Sequence, residues 1–586
     1  VLKSDDLLQL ILDRLKSRTS SATLTDANAT FDSIGISSFE YANFLSDLKS
    51  ELQFKFSVAE ALSIPTPAGL AEWLYRLSID NESENVFQNK RRSFSLKTGR
   101  NIAIIGASCI FPGMHRGDDL EAFWDILKEG RDPVSTIPSN RWDAAQEKEK
   151  GYSIFGGFIE DIDCFDAPFF HISPREAASM DPQQRLALEL CQHALEHAGI
   201  TSDSLSRDAT GVFWGVGDSE YGRLLLGTDA PQDIYSFTGA SPSLIPGRIA
   251  YHYDVHGPCL GVDTASSGAL HAVHLAVQSL RHGECSQALV GSLNLCISPE
   301  KHRMMSRAGV MAADGKCKTF DASADGYVRA EGGGVLILKN LDEALEAGDN
   351  ILGVIRGTAI THDGHSNGLT SPSGKAQAEL LNTALADADL LPADVDYLEC
   401  HGTGTYVGDP IEVGAIKTVF QDRNNDSPLK LGSVKSNIGH LEQAAGIAGI
   451  IKILLSFAHN TIPANLHFKN ENPLLELSAI PASVVSENVV WKGDKRKRIA
   501  GVSGFSLAGA NAHVLLEEPP HLSRKDDVTE PLMSSSWQLL PLSAESPESL
   551  AVVQQKMSCF MKEASASLDT NFGYKDICRS AQLERD

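Results

Sequence analysis

The sequence predicts an α/β protein preceded by a small all-helical bundle, and three observations carry that prediction. Short apolar runs of strand length, at residues 101–106, 288–290, 334–338, 351–360, 395–400, 429–434 and 499–503, alternate with helical segments, the pattern of a sheet covered by helices. Residues 1–78 show helical apolar spacing and no strand signal. At 586 residues the chain also exceeds what one hydrophobic core serves, so two or more domains are expected.

Composition narrows the function classes. The chain is 42% hydrophobic and 22% charged, an ordinary globular balance, and its net charge of −25 argues against nucleic acid or an anionic membrane surface as partner. No apolar run reaches the roughly 18 residues of a membrane span, and the N-terminus lacks the pattern of a signal peptide. Ten cysteines are scattered singly between Cys109 and Cys578, without Cys-x-x-Cys or zinc-type spacing. A reducing, cytoplasmic setting, buried thiols and no metal are the expectation. The absence of an initial Met and the last residues, Leu583-Glu584-Arg585-Asp586, suggest a piece of a longer polypeptide.

Along the chain, Ser4 with Asp5 and Asp6 starts a helix whose Leu7, Leu8, Ile11, Leu12 and Leu15 share a face. A second helix is expected to carry Phe39, Ala42, Leu45 and Leu48, and a last one to follow Pro65-Thr66-Pro67. Residues 79–99 turn polar and lose periodicity, as a linker does. Asn101 to Gly106 opens the large domain, Leu120 to Leu127 reads as a helix, and another begins at Pro182. The run Leu260-Gly261-Val262 then leads into Asp263-Thr264-Ala265-Ser266-Ser267-Gly268-Ala269-Leu270, and an apolar helix follows until Gly283. Ser266 therefore stands at a helix N-terminus, where unpaired N–H groups and the dipole favour an anion or a developing oxyanion. A nucleophile is expected there.

The stretch 263–270 resembles the nucleophile motif of β-ketoacyl synthases, especially those of modular polyketide synthases, in which Asp-Thr-Ala precedes a cysteine; this chain has Ser266 instead. Two further segments match the family, Glu399-Cys400-His401-Gly402-Thr403-Gly404-Thr405 and Gly432-Ser433-Val434-Lys435-Ser436-Asn437-Ile438-Gly439-His440. The resemblance implies a thiolase-like fold, two duplicated α/β halves in five αβαβα layers, although no repeat is visible in the residues. Residues 1–78 resemble an acyl carrier protein, with Ser38 matching the serine that takes 4′-phosphopantetheine; Ser37 and Phe39 depart from the family's Asp and Leu. The expected division is carrier 1–78, linker 79–99, ketosynthase 100–520, and an incomplete post-ketosynthase linker or adaptor, part of an α/β region, at 521–586. No Gly-x-Ser-x-Gly follows, so any acyltransferase lies outside this chain.

For such a protein the resemblance implies transfer of an acyl chain from a carrier to position 266, then decarboxylative condensation with malonyl-carrier or a substituted malonyl-carrier. His401 and His440 are implied as neutral donors to the enolate oxygen. Lys435 is implied as a charge that organises the site, paired with Glu331 of Arg329-Ala330-Glu331-Gly332. Leu507, in Gly504-Phe505-Ser506-Leu507-Ala508-Gly509-Ala510-Asn511, aligns with the family's gating aromatic, and its N–H would join that of Ser266 in an oxyanion hole. The loop His362 to Gly368 resembles one near the pocket entrance. Acyl- and malonyl-carrier proteins, a homodimer through the ketosynthase and a phosphopantetheinyl transferase are the implied partners. The run Lys495-Arg496-Lys497-Arg498 reads as a solvated surface or a landing place for an acidic carrier.

Ser266 complicates this picture. A helix N-terminus readily makes a thiolate, but a serine hydroxyl needs a general base, and the two histidines are committed as donors. Cys259, seven residues earlier, belongs at the far end of the strand and is not expected to substitute. Weak condensation is expected, with three accounts open: an engineered Cys-to-Ser change, a natural synthase that decarboxylates or passes chains on without extending them, and an active serine enzyme. A non-catalytic scaffold that docks carriers is the reading from another class.

Overall fold

The structure is a computed structural model. It describes residues 4–16, 66–79 and a set of positions between 27 and 64; residues 100–520 apart from 208, 229–232, 367, 424–427, 478–479 and 494–495; and 539–566 apart from 545, with 577–578 and 581. Two compact units divide the chain at residue 93.

In the first unit α1 (Ser4–Lys16) packs on α2 (Pro67–Ile79), which follows the expected proline turn. Leu7, Ile11 and Leu15 meet Leu45, Leu48, Leu70 and Leu74 in one core. The Phe31 and Tyr41 rings stack at 4.0 Å, and the Tyr41 hydroxyl donates to the carbonyls of Ala61 and Ile64 at 3.1 and 3.0 Å. Ile36 and Tyr41 are thus buried on either side of Ser38. Ser37, Ser38 and Phe39 themselves lie outside the described residues, as do Ala42, most of the expected linker (80–99) and residues 521–538.

The second unit is built on eleven strands: β1 (Ile102–Ile110), β2 (Thr210–Gly215), β3 (Cys259–Val262), β4 (Gln287–Asn294), β5 (Gly332–Asn340), β6 (Gly353–His362), β7 (Tyr397–Glu399), β8 (Leu429–Gly432), β9 (Ala482–Val484), β10 (Ile499–Phe505) and β11 (Ala510–Glu517). Their order across the sheet is β9-β8-β7-β10-β11-β6-β1-β5-β4-β2-β3. Six of the expected apolar runs fall on β1, β4, β5, β6, β8 and β10, and 395–400 contains β7.

Topology reveals the duplication that the residues hide. In the first half β1 pairs antiparallel with β5, β5 antiparallel with β4, β4 parallel with β2 and β2 parallel with β3. In the second, β6, β11, β10, β7 and β8 repeat that order and those directions, with β9 added at the edge. The halves join through a short antiparallel pairing of β1 with β6, Ile102 to Ile355 through Ile104 to Gly353.

Strand alternation explains the layers. Ile102 and Ile104 face a central core with α3 (Gly268–His282) and α4 (Ala445–Ala458), which pack on each other and on strands of both halves. Ala103 and Ile105 face the opposite way, into a core closed by the helix Pro182–Ala198. A third core lies on the far side of the second half, under the helices Gly374–Ala388 and Gly408–Phe420. Helix, sheet, helix, sheet, helix is therefore the sequence of layers. The helix Pro547–Ala566 follows, with Lys556 donating to the carbonyl of Gly117 at 3.0 Å.

The basic run corrects one expectation. Arg498 is buried, its guanidinium donating to Glu518 at 2.6 Å and to the Phe457 and Trp491 carbonyls, while Arg496 pairs with Asp396. Strand pairing draws Arg498 inward because it immediately precedes β10, so the run is neither wholly solvated nor a free landing place.

Candidate active site

Strand β3 ends at Val262, and a single 3-10 turn, Ala265–Ser267, connects it to α3. The turn is sharp: Ala265 takes the left-handed conformation at φ 50°, Asp263 accepts the Ala265 N–H at 3.1 Å, and the Ser267 hydroxyl donates back to the Thr264 carbonyl at 3.0 Å. Ser266 is half-buried, and its hydroxyl has no hydrogen-bond partner among the described residues. Cys259 begins β3, at the end away from the turn, and burial raises its thiol pKa, so it supplies no thiolate here.

The second half builds the equivalent junction. After β8 come the short helix Lys435–Ile438, then the 3-10 turn Glu442–Ala444, then α4, and Glu442 takes φ 49° as Ala265 takes 50°. The two turns pack together, and the Ala265–Ser267 turn also touches β10. A Cβ added at Gly268 would stand 3.4 Å from the Cβ of Gln443, and one at Gly504 would stand 3.6 Å from the Cα of Ser267. Ser266 is thereby held between the segment that carries His440 and the one that carries Phe505.

The two imidazoles meet each other, their ring centres 5.4 Å apart at an interplanar angle of 84°. His401 Nδ1 accepts the Phe505 N–H at 3.3 Å, and His440 Nδ1 accepts the Glu442 N–H at 3.0 Å. A ring nitrogen that accepts from a backbone N–H carries no proton, so in each neutral ring the proton lies on Nε2. Burial, reinforced by the Lys435 charge, holds His440 down at about 3 and His401 well below the usual imidazole range. Two neutral Nε2–H donors result, with no base among them.

The glycine-rich loop after β7 is pinned by two acids at the start of the helix Gly408–Phe420. Glu412 accepts the N–H groups of His401 and Gly402 at 2.8 and 2.9 Å, and Asp409 those of Phe320 and Gly404 at 2.8 and 3.1 Å. Gly402 and Gly404 have φ of 41° and 73°, where a side chain would be strained. Burial pushes the Asp409 carboxyl up to about 6 and that of Glu412 up as well.

Lys435 and Glu331 do not pair with each other, which corrects the sequence expectation. Glu331 is taken by Arg141, in two bonds of 3.1 and 3.0 Å, and accepts the N–H groups of Ile159 and Cys296 at 2.9 and 3.1 Å. Those four donors fill the carboxylate. Lys435 is buried, which lowers its pKa, and the charges of Glu399 and Glu412 oppose that most strongly. Glu399 itself stands 2.8 Å from Lys452. Leu507 is 51% exposed on the Ser506–Gly509 turn, and its N–H has no partner among the described residues. His362 and Asp363 brace that turn, His362 against the Ala508 carbonyl at 2.9 Å and Asp363 against the Asn511 amide at 2.8 Å.

Sequence reasoning missed the charged frame behind His440. Arg329, fully buried, donates to Glu442 at 2.6 Å and to Glu220 at 3.2 Å, and Lys301 reaches Glu442 at 2.5 Å. These cations hold the Glu442 carboxyl far below the usual carboxylate range. The only hint in the sequence is Arg329-Ala330-Glu331, where the glutamate draws attention away from the arginine.

Comparison with known proteins matches these features. Profiles described as Beta-ketoacyl synthase, N-terminal domain and Beta-ketoacyl synthase, C-terminal domain match residues 99–344 and 352–469; Ketoacyl-synthetase C-terminal extension matches 472–572, and Phosphopantetheine attachment site matches 5–74. A solved ketosynthase from module 6 of the bacillaene synthase of Bacillus subtilis 168, in a cysteine-to-serine variant, superposes with a TM-score of 0.74 at 36% identity, covering 83% of this chain and 81% of that one. The chain belongs to the β-ketoacyl synthase family. Its ketosynthase is of the polyketide synthase kind, and its carrier domain is one that holds 4′-phosphopantetheine covalently.

A phenolphthiocerol/phthiocerol polyketide synthase of Mycobacterium bovis is 42% identical over 501 residues, 84% of this chain and 26% of that protein. Polyketide synthase PksN of Bacillus subtilis is 45% identical over 437 residues, 71% of this chain and 8% of that protein. The ketosynthase chain thus spans about a quarter or less of these relatives.

Proposed function

We propose that this ketosynthase acts in polyketide chain extension, and that with serine at position 266 it decarboxylates malonyl-carrier far better than it condenses. The observation that carries this reading is the pair of backbone bonds to His401 Nδ1 and His440 Nδ1. They leave two Nε2–H donors for a thioester oxygen, which strengthen as enolate charge develops when carbon dioxide departs. The same bonds deprive Ser266 of a base, since neither ring has a free lone pair to take its proton. Acyl transfer to Ser266 is the handicapped step; decarboxylation does not need it, and the enolate is then protonated by water to the acetyl thioester.

The phosphopantetheine arm, when attached at Ser38, supplies the thiol that carries the acyl group as a thioester. The anchoring of Ile36 and Tyr41 in the carrier core supports Ser38 as that position, and a phosphopantetheinyl transferase would load it. Burial keeps both imidazoles neutral and the charge of Lys435 reinforces it, and Leu507, with no ring to swing, leaves the entrance open. Glu331 is a structural partner of Arg141. We read Ser266 as an engineered replacement of cysteine; a natural non-elongating synthase is the alternative, and the lack of a base speaks against an active serine enzyme. The unpaired outer edge of β3, with Cys259, Leu260 and Gly261 exposed, supports a homodimer.

The test is intact-mass analysis of the holo chain given malonyl and acyl thioesters. Malonyl groups should become acetyl with little adduct on Ser266, and Ser266→Cys should gain both the adduct and condensation. His401→Ala and His440→Ala should each slow decarboxylation by about 10²- to 10³-fold. Undiminished decarboxylation in both would sink the proposal, and unaffected acyl handling throughout would favour a carrier-docking scaffold.

A further inference from the structure

We propose that Gln443 sets the size of the acyl group this site accepts, as a plug between position 266 and a cleft beyond it. The inference rests on the reading that position 266 receives the acyl chain. Gln443 is the middle residue of the Glu442–Ala444 turn, the place that Ser266 takes in the first half. Its backbone and Cβ pack on Gly268, two residues after Ser266. The far end of its side chain lies on Gly217: a Cβ added there would stand 2.8 Å from Cδ and Nε2 of Gln443 and 2.9 Å from Oε1. A side chain at 217 would force this amide to move.

Gly217 has a second neighbour. It lines a shallow, solvent-open cleft with Asp181, Gln183, Ser219 and Ser241 that is too narrow to hold even a water molecule. In this state the cleft therefore admits no chain at all. One side chain therefore spans from the turn of Ser266 to the wall of the cleft, and truncating it to alanine would remove the atoms in between.

The amide is anchored at one end. Gln443 is 4% exposed, and its only hydrogen bond among the described residues is Nε2 to the Leu293 carbonyl at 3.0 Å. The cleft keeps a buried acceptor, Gln183 Oε1, without a partner, although Asp181 beside it receives the Ser219 hydroxyl at 2.6 Å.

The experiment uses the full chain carrying Ser266→Cys, with straight-chain N-acetylcysteamine thioesters from acetyl to decanoyl, and reads the rate of adduct formation at position 266. Each methylene past the limit should cost the parent roughly 10- to 200-fold. Adding Gln443→Ala should move that limit to longer chains and raise the ratio of octanoyl to acetyl labelling by at least about tenfold. Gln443→Leu, which keeps the bulk and loses the amide, should keep the parent limit and serves as the folding control. An unchanged length profile in Gln443→Ala would overturn the plug. Failure of every thioester to label the Ser266→Cys parent would instead overturn the acyl-acceptor reading, and this inference with it.

Discussion

The two strand-turn-helix junctions at the centre of the ketosynthase share a backbone and almost nothing else. In the first half the turn holds Ala265 and Ser266, small and uncharged, with a hydroxyl that nothing restrains among the described residues. In the second half the same turn holds Glu442, fastened by Arg329 and Lys301, whose N–H fixes the tautomer of His440. Duplication has produced one turn with small, unrestrained side chains and one clamped so that it fixes the His440 ring. Side chains, not backbone, separate the two tasks.

Removing the clamp should have the largest effect. Arg329→Met leaves Glu442 and Glu220 buried without their shared cation, and breaking such a network typically costs about 3 to 5 kcal/mol. Urea unfolding would read it, and a midpoint equal to the parent's would mean that the clamp is dispensable.

Acid should then distinguish the second junction through His440. Its folded value of about 3 lies below the unfolded value of roughly 6.5, so only the unfolded chain takes up a proton between those limits. The stability it contributes is complete above the upper limit and is lost as pH falls toward the lower one, at about 1.4 kcal/mol per unit. Asp409 and Glu412, raised by burial, work in the opposite sense, so total stability is a poor readout. The difference in slope between the parent and His440→Asn isolates the ring, and parallel slopes would contradict its buried neutral state.

The smallest effect sharpens the contrast in backbone strain. A left-handed residue other than glycine costs roughly 1 to 2 kcal/mol, and glycine returns part of that as chain entropy, so Ala265→Gly should stabilise by less than about 1 kcal/mol. Glu442→Gly, relieving the same strain, should destabilise because it forfeits both ion pairs. Thermal unfolding of the two variants would show opposite signs, or else the turns are not the equivalents their topology makes them.

Legibility in the sequence follows the range of the interactions. Ser266, His401 and His440 are readable because each sits in a local motif where a strand gives way to a turn, and strand runs such as 334–338 announce themselves by apolar content alone. The Arg329–Glu442 bond joins residues 113 apart and the Arg141–Glu331 bond residues 190 apart, and no local pattern encodes either. The family motifs suggest Lys435 for Glu331, where packing supplies Arg141 instead. The duplication is invisible for a related reason: Ala265 answers to Glu442 and Ser266 to Gln443, so hydrogen-bonding order repeats while chemistry does not. Arg498 misleads because a charge run looks solvated until a strand pulls one member inside.

The seam between β1 and β6 has a wider meaning. The Ser266 hydroxyl comes from one side of that boundary and the His401 and His440 imidazoles from the other, so neither duplicate by itself contains all three side chains. A chain cut between Asn340 and Gly353 would therefore bring the three side chains together only if the two pieces associated.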